Sequence, residues 1–123
     1  MMIAFVLLLP SLIAAQSYPM SSPDAADYAE LTKPYNQRFD YQPALVATPS
    51  NAAEVAEAVT NGHAQGMTVV ARSGGHSYIA NGLGGDDGAM VVDLRNLKDI
   101  TFNEDNSQVT LGTGQSSDEC FGI

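Results

Sequence analysis

The chain has 123 residues, 45% hydrophobic and 15% charged, a composition typical of one small globular unit rather than a disordered segment. Five basic and fourteen acidic residues give a formal net charge of -9, which argues against nucleic acid and anionic membranes as partners. A single cysteine, Cys120, excludes an internal disulfide and a cysteine-cluster metal site. The two histidines, His63 and His76, have no carboxylate at a helical ligand spacing, so we expect no protein-bound metal.

The N-terminal segment is an apolar run that ends in two small residues, Ala14 and Ala15. This pattern predicts a secretory signal peptide over residues 1–15, with cleavage near Ala15; a buried N-terminal helix is the alternative. The run is shorter than the about 20 residues of a transmembrane helix, and Pro10 interrupts it. We therefore expect a secreted chain without membrane association after cleavage, in which Cys120 stays free or pairs with another chain.

Residues 16–40 are predicted to form an N-terminal helix and a lead-in segment. A serine cap, Pro23 at the first helical position and Asp24 beside it predict a short helix that runs through Leu31. The aromatic-rich residues 35–43 that follow are predicted to be irregular and packed against the domain rather than free. A plain connecting loop and a binding role are equally open for this segment.

A strand, a helix and a second strand are predicted next. Residues 44–47 are a short apolar run, and residues 67–71 are another. Between them, Asn51 and Glu54 have the spacing of a helix N-terminal cap, and the helix is predicted to end near Gly66. His63 falls in its last turn, where a solvent-facing role without chemistry is expected. Strand, helix and strand in so few residues predict a parallel, right-handed crossover.

The rest of the chain is predicted to alternate turns and strands. The glycine-rich residues 79–88 indicate a flexible surface loop, whose Asp86 and Asp87 lack the alternating ligands of a calcium loop. Residues 89–94 are predicted to form a third strand, and two further strands, at residues 100–102 and 108–111, a hairpin. These elements together predict an α+β fold: a small mixed sheet with a β-α-β crossover.

The turn after the second strand carries the residues with the most chemical information, and they are consecutive: Arg72, Ser73, Gly74, Gly75, His76 and Ser77. A G-x-S-x-G nucleophile elbow fails because Ile79 stands at the last glycine position. The G-x-G-x-x-G fingerprint fails at its sixth residue at both candidate places, and no lysine completes a phosphate-binding P-loop. Two interpretations remain equally open. One is a structural turn with a satisfied histidine; the other is a backbone nest for a pyrophosphate, with a charge-assisted contact from Arg72.

This turn and two segments before it resemble the FAD-binding domain of the p-cresol methylhydroxylase type. The two segments are Pro49-Ser50-Asn51-Ala52-Ala53-Glu54-Val55 and Thr68-Val69-Val70-Ala71. It is most similar to the secreted berberine bridge enzyme and glucooligosaccharide oxidase group. Residues 33–39 and 90–94 resemble the same group, so the similarity runs from about Lys33 to Gly114.

The resemblance implies a cofactor and a reaction. Residues 72–77 would wrap the FAD pyrophosphate, and His76 would be joined to the flavin 8α carbon. The activity implied is oxidation of an alcohol- or carbohydrate-type small molecule, with hydride transfer to flavin N5 and dioxygen as acceptor. The expected partners are therefore FAD and, in the full-length family, that substrate.

The chain also departs from this family. The second half of the FAD domain and a substrate domain with a tyrosine base are expected beyond Ile123, so residues 41–115 would be an incomplete FAD-binding subdomain. Residues 116–123 diverge from the family's apolar helix, and Cys120 follows the last strand too soon to be the family's second flavin link.

Two hypotheses follow: an FAD-dependent oxidoreductase represented by its N-terminal fragment, or a non-catalytic remnant that keeps the fold without competent flavin chemistry. No catalytic residue is assigned in either. Both leave apolar surface exposed, which favours self-association.

Overall fold

A computed structural model describes residues 16–120, and the predicted signal peptide lies outside this range. No helix within that range is long and apolar enough to cross a membrane. In chain order the elements are β1 (Met20–Ser21), α1 (Tyr28–Leu31), β2 (Leu45–Ala47), α2 (Ala52–Ala64), β3 (Val69–Arg72), a 3₁₀ turn (Asn81–Leu83), β4 (Met90–Asp93), β5 (Ile100–Phe102), β6 (Val109–Leu111) and α3 (Ser117–Cys120). The α+β class expected from the sequence is confirmed.

Two sheets organise these elements. The larger sheet has the order β1-β2-β4-β3, and the smaller is the hairpin β5-β6. β2 and β3 both run parallel to β4, whereas β1 is antiparallel to β2, so the sheet is mixed as predicted. β4 therefore lies between the two strands that α2 connects. All four of its residues are buried, which agrees with the unbroken apolar run of a central parallel strand.

The core lies on both faces of the larger sheet because side chains alternate along each strand. On one face, Val46 and Val91 pack with Tyr28 and Leu31 of α1. On the other, Met90 and Val92 pack with Ala58 of α2. The sheet is thus sandwiched between α2 and the N-terminal segment that contains α1, and the carboxyl ends of β2, β3 and β4 meet at one edge.

The predicted boundaries of α2 agree with the structure. The side chain of Asn51 accepts a hydrogen bond from the backbone N–H of Glu54 (3.0 Å), and the carboxylate of Glu54 accepts one from the N–H of Ser50 (2.7 Å). These bonds satisfy donors that the first turn of a helix leaves free. At the other end, Gly66 has a φ of 70°, a left-handed conformation that ends the helix. His63 is exposed in the last turn, as expected.

The predicted N-terminal helix begins later than the sequence indicated. Its expected end at Leu31 is correct, but α1 starts only at Tyr28, and residues Met20–Ser21 form β1 instead. Backbone pairing with β2 recruits these residues into the sheet. The Ser21 hydroxyl donates to both carboxylate oxygens of Asp27, at 2.8 and 2.9 Å. Residues 23–27 form turns and a bend before α1 begins, with a hydrogen bond of 2.9 Å from the Ala25 N–H to the Ser22 carbonyl. The segment is thus held by β1 and by the Ser21–Asp27 contact, and the local capping signal does not start a helix at Pro23.

The predicted flexible surface loop at residues 79–88 is only partly a loop. It contains the 3₁₀ turn, and two of its apolar side chains, Ala80 and Leu83, are buried in the core cluster of α1. Its glycines do bend the chain sharply, since Gly84, Gly85 and Gly88 all have positive φ. These apolar residues pack against the rest of the domain, so the prediction of a flexible loop from glycine content was only partly right.

The hairpin has one apolar face. Register pairs Ile100 with Leu111 and Phe102 with Val109, which puts these four side chains on the same side, opposite the Thr101–Thr110 pair. All four remain 37 to 50% exposed. The hairpin was predicted correctly. Its apolar and polar residues alternate as in antiparallel strands that pack one face against another part of a protein.

Candidate functional site

The turn of residues 72–77 leaves the sheet at the edge where the parallel strands end. Its first residue, Arg72, closes β3 and stands in register with Asp93, the last residue of β4. Ligands of open parallel sheets bind outside the carboxyl ends of the strands, where loops diverge. The predicted site residues therefore stand at the edge of the sheet where ligands are expected.

The backbone of this turn presents unused hydrogen-bond donors. No carbonyl or side chain among residues 16–120 accepts a hydrogen bond from the backbone N–H groups of residues 73–77. Gly75 has a φ of 69°, the left-handed conformation, and the chain turns there. The space beside Gly74 is open, since a Cβ on Gly74 would meet nothing within 4 Å. Consecutive free N–H groups around a left-handed residue form the kind of nest that binds anions. A pyrophosphate group fits this arrangement.

The six predicted residues line one open groove of about 260 Å³, together with Ala71 and Gly82. The groove is shallow, and Gly74, Ser73 and His76 on it are exposed. A larger groove, about 440 Å³, lies beside α1 and the lead-in segment and shares no residue with the turn. The smaller groove is the better candidate site, because it contains the run of consecutive free N–H groups and all six residues that the sequence predicted.

The side chain of Arg72 is directed into the protein. Its guanidinium donates one hydrogen bond to the carbonyl of Leu31 and another, of 2.7 Å, to the carbonyl of Lys33. The residue is only 8% exposed, and burial lowers its pKa from the usual range, partly offset by the charge of Asp93. In this structure Arg72 ties the lead-in segment to the turn. Its predicted contact with an anion stays a prediction.

His76 lies at the exposed end of the turn, within a group of three aromatic rings. The Tyr35 ring approaches the imidazole with a centroid distance of 3.8 Å and an interplanar angle of 44°. Tyr78 lies farther away, at 5.9 Å from His76 and 5.5 Å from Tyr35. The lead-in segment is held here by a hydrogen bond of 2.8 Å from the Asn36 side chain to the Tyr78 carbonyl. The predicted packing of this segment on the domain is thus confirmed.

A second cleft, of about 430 Å³, adjoins the turn at Ser73 and Gly74. Its opposite wall carries Arg95 and Lys98, so three of the five basic residues of the chain, with Arg72, surround it. Each of the two is paired: Arg95 with the buried Asp93 at 2.9 Å, and Lys98 with Glu119. Two of the three cations around the cleft are therefore balanced by a carboxylate, whereas Arg72 is bonded to backbone carbonyls.

The floor of this cleft is tightly built. The Ser73 hydroxyl donates to the carbonyl of Thr113, and the N–H of Gly114 donates to the carbonyl of Leu97 at 2.9 Å. A Cβ on Gly114 would lie 2.1 Å from the carbonyl oxygen of Leu94, so only glycine fits. The chain after β6 is thereby fixed beside the turn.

Sequence reasoning missed several of the residues that build this region. Tyr35 was assigned to a segment with an open role, and the walls of the second cleft were not foreseen. Asp93 was one available signal, because it is a carboxylate at the end of an apolar strand. A fully buried charge is rare unless it is paired, so this position predicts a cationic partner nearby. The aromatic contact with His76 joins residues 41 positions apart, and no local pattern encodes it. Among residues 16–120, no cluster of three or more His, Cys, Asp and Glu side chains could hold a metal.

Comparison with known sequences identifies the family. A family described as "FAD binding domain" matches residues 43–119, more than half of the chain. The chitooligosaccharide oxidase of Gibberella zeae is 31% identical over 97 residues, which is 79% of this chain and 20% of that protein. The glucooligosaccharide oxidase of Sarocladium strictum is 36% identical over 72 residues, 58% of this chain and 14% of the relative. This chain spans about a fifth of the length of most of the curated relatives it matches.

Solved structures give the same result. Wild-type BBE-like 1 of Physcomitrella patens superposes with a TM-score of 0.77 at 32% identity, covering 80% of this chain and 21% of that one. The xylooligosaccharide oxidase of Myceliophthora thermophila C1, solved with xylobiose, gives 0.74 at 31% identity over 79% of this chain and 20% of its own. The fold and family expected from the sequence are confirmed. The chain belongs to the FAD binding domain family, within the group of FAD-linked oxidoreductases that includes oligosaccharide oxidases and berberine bridge enzyme-like proteins.

Proposed function

We propose that the turn of residues 72–77 is the part of this chain that holds FAD. The observation that carries the proposal is the set of free backbone N–H groups from Ser73 to Ser77, at the carboxyl edge of a sheet whose family binds FAD. In this arrangement the backbone N–H groups of Ser73, Gly74 and Gly75 would face the pyrophosphate, and no large side chain would separate them from it. Arg72 supports the turn from within and adds positive charge beside it in an otherwise acidic chain.

We further propose that His76 is the residue of covalent attachment. Its imidazole is exposed next to the pyrophosphate nest, and a neutral imidazole nitrogen has a lone pair that can bond to the flavin 8α carbon. The 8α carbon and the imidazole would each lose a proton, the flavin ring would take up the two electrons, and dioxygen would reoxidise the ring. When bound, FAD supplies the ring that accepts a hydride from the substrate carbon and passes the electrons to dioxygen. This chain's own residues bind that cofactor, orient it and prevent its loss. Retention matters outside the cell, where the apolar run of residues 1–15 would direct the chain.

At the level of the whole enzyme, the proposed reaction is FAD-dependent oxidation of an alcohol or carbohydrate. The support is that several relatives are named as oxidases of chitooligosaccharide, xylooligosaccharide and glucooligosaccharide. The chain matches only about a fifth of their length, so substrate-binding groups would belong to the remainder. The part described here would contribute cofactor binding and no catalytic base.

The test is flavin retention by the purified chain. We expect a yellow protein whose flavin fluorescence stays with the polypeptide after acid denaturation. His76→Ala should release the flavin on denaturation while keeping reversible uptake. His63→Ala is the matched control, because His63 is also exposed but lies in the last turn of α2, and it should behave as wild type. A colourless chain that takes up no added FAD contradicts the proposal.

A second candidate is a remnant that folds without competent flavin chemistry. The exposed apolar face of Ile100, Phe102, Val109 and Leu111 is common to both candidates, so the flavin test is what separates them. This candidate predicts a cooperatively folded chain that fails the flavin test. It also predicts self-association through that face.

A further inference from the structure

The contact between Tyr35 and His76 is the closest aromatic contact in the part of the chain that the structure describes. Ring centroids 3.8 Å apart put the tyrosine ring in van der Waals contact with the imidazole, with the planes tilted by 44°. Offset and tilted aromatic pairs at this range are attractive beyond the area that they bury. Both residues are nevertheless exposed, Tyr35 at 53%, so burial does not force them together.

The backbone around Tyr35 is anchored to the turn from both sides. Two residues earlier, the Lys33 carbonyl accepts a hydrogen bond from the Arg72 guanidinium at 2.7 Å. One residue later, the Asn36 side chain donates to the Tyr78 carbonyl at 2.8 Å. Pro34 restricts the backbone between these anchors. The same turn that carries His76 therefore fixes the position of Tyr35, and the contact depends on residues outside the pair.

We infer that Tyr35 is a positioning residue that fixes the imidazole of His76 in the orientation from which it meets the flavin. This inference rests on the proposed function of His76. An exposed histidine rotates freely about two side-chain bonds, and a ring packed on one face removes most of those orientations. Because covalent attachment needs the reacting nitrogen near its target, a fixed imidazole reacts faster than a mobile one.

Tyr78 does not replace Tyr35 in this role. Its ring centroid lies 5.9 Å from that of His76, and it is 68% exposed. It contacts the imidazole edge-on and at longer range, which leaves the imidazole face to Tyr35. The effect therefore belongs to the Tyr35 ring, and substitutions can separate it from any effect of Tyr78.

The first test needs no flavin. Ring-current shifts of the His76 imidazole protons are measured by NMR in the purified chain, where His76→Ala assigns the resonances of the two histidines. We expect shifted His76 resonances in wild type and in Tyr35→Phe, and loss of the shift in Tyr35→Leu and Tyr35→Ala. Phe102→Ala is the matched control, because Phe102 is 50% exposed on the hairpin. Thermal unfolding of each variant checks that it is folded.

The second test follows the rate of covalent FAD incorporation into the same variants. We expect Tyr35→Ala to slow attachment about tenfold or more, and Tyr35→Phe and Phe102→Ala to stay near wild type. A Tyr35→Ala chain that attaches FAD as fast as wild type, or keeps the shifted His76 resonances, overturns the inference and leaves the proposed function intact. A wild-type chain without FAD uptake contradicts the proposed function instead, and the NMR arm then decides the Tyr35 contact alone.

Discussion

The Arg72 guanidinium packs against the backbone of Gly75, so that a Cβ added to Gly75 would lie 2.6 Å from Nη2 and 2.7 Å from Nε. This guanidinium cannot swing aside freely, because it is buried and bonded to the carbonyls of Leu31 and Lys33. Gly75 also has a φ of 69°, which disfavours any other residue. The turn thus depends on a glycine for two separate reasons.

Gly75→Ala should therefore lower the free energy of unfolding by about 2 to 4 kcal/mol, from left-handed strain and displaced charged hydrogen bonds. Chemical denaturation measures it. Gly74→Ala is the control: a Cβ there meets nothing within 4 Å, so we expect a change below about 1 kcal/mol. The control should still weaken FAD uptake, because the new methyl group stands at the proposed nest. Equal destabilisation by both alanines would contradict this account.

Arg72→Lys should be destabilising even though it keeps the charge. The planar guanidinium reaches two carbonyls 2 residues apart in the chain, at Leu31 and Lys33, and one ammonium group cannot reproduce that fork. We expect a loss of about 2 to 3 kcal/mol, since a buried acceptor remains unpaired. Arg38→Lys, at an exposed position, should change stability by less than about 0.5 kcal/mol. Identical unfolding curves for the two variants would exclude a structural role for Arg72.

The apolar hairpin face should cause concentration-dependent self-association. Replacing Phe102 and Val109 together by threonine removes two of its four apolar side chains and should shift the chain toward monomer in sedimentation experiments. Thr110→Ser, on the opposite face, should sediment as wild type. The larger sheet should be unaffected, because these side chains are exposed. Unchanged association of the double variant would place the contact elsewhere.

Glu119 should titrate far below an ordinary glutamate. The hydrogen bond from Lys98, followed by those from Ser116, lowers the pKa of Glu119 from 4.5 to about 2. A lowered folded-state pKa stabilises the folded chain at pH above 4.5, and that contribution is lost as pH falls from 4.5 through about 2. NMR titration of the carboxyl carbon measures the value, and Lys98→Gln should raise it. The effect should shrink in high salt because the pair is exposed. A titration midpoint near 4.5 would contradict it.

Local signals in the sequence predicted most elements correctly. The cap of Asn51 and Glu54 marked the start of α2, and Gly66 marked its end. The short apolar runs correctly predicted three strands of the larger sheet, and the alternation of apolar and polar residues predicted the hairpin. The capping signal before Pro23 failed: residues 23–27 form turns and a bend, and contacts of Ser21 with β2 and with Asp27 hold this segment. The glycine content of residues 79–88 likewise concealed the buried Leu83.

The α+β class and the turn of residues 72–77 followed from the amino-acid sequence, because helix caps, strand periodicity and a glycine pair after a strand are local properties. The family followed from the resemblance of that turn and its flanking segments, and the comparison with known proteins confirmed it. The position of β4 between β2 and β3, the inward direction of Arg72 and the contact of Tyr35 with His76 came only from the folded chain. Those features join residues about 40 positions apart, at Arg72 with Lys33 and Tyr35 with His76. Their contacts exist only after the sheet has brought distant segments to one edge, and no short pattern encodes that geometry.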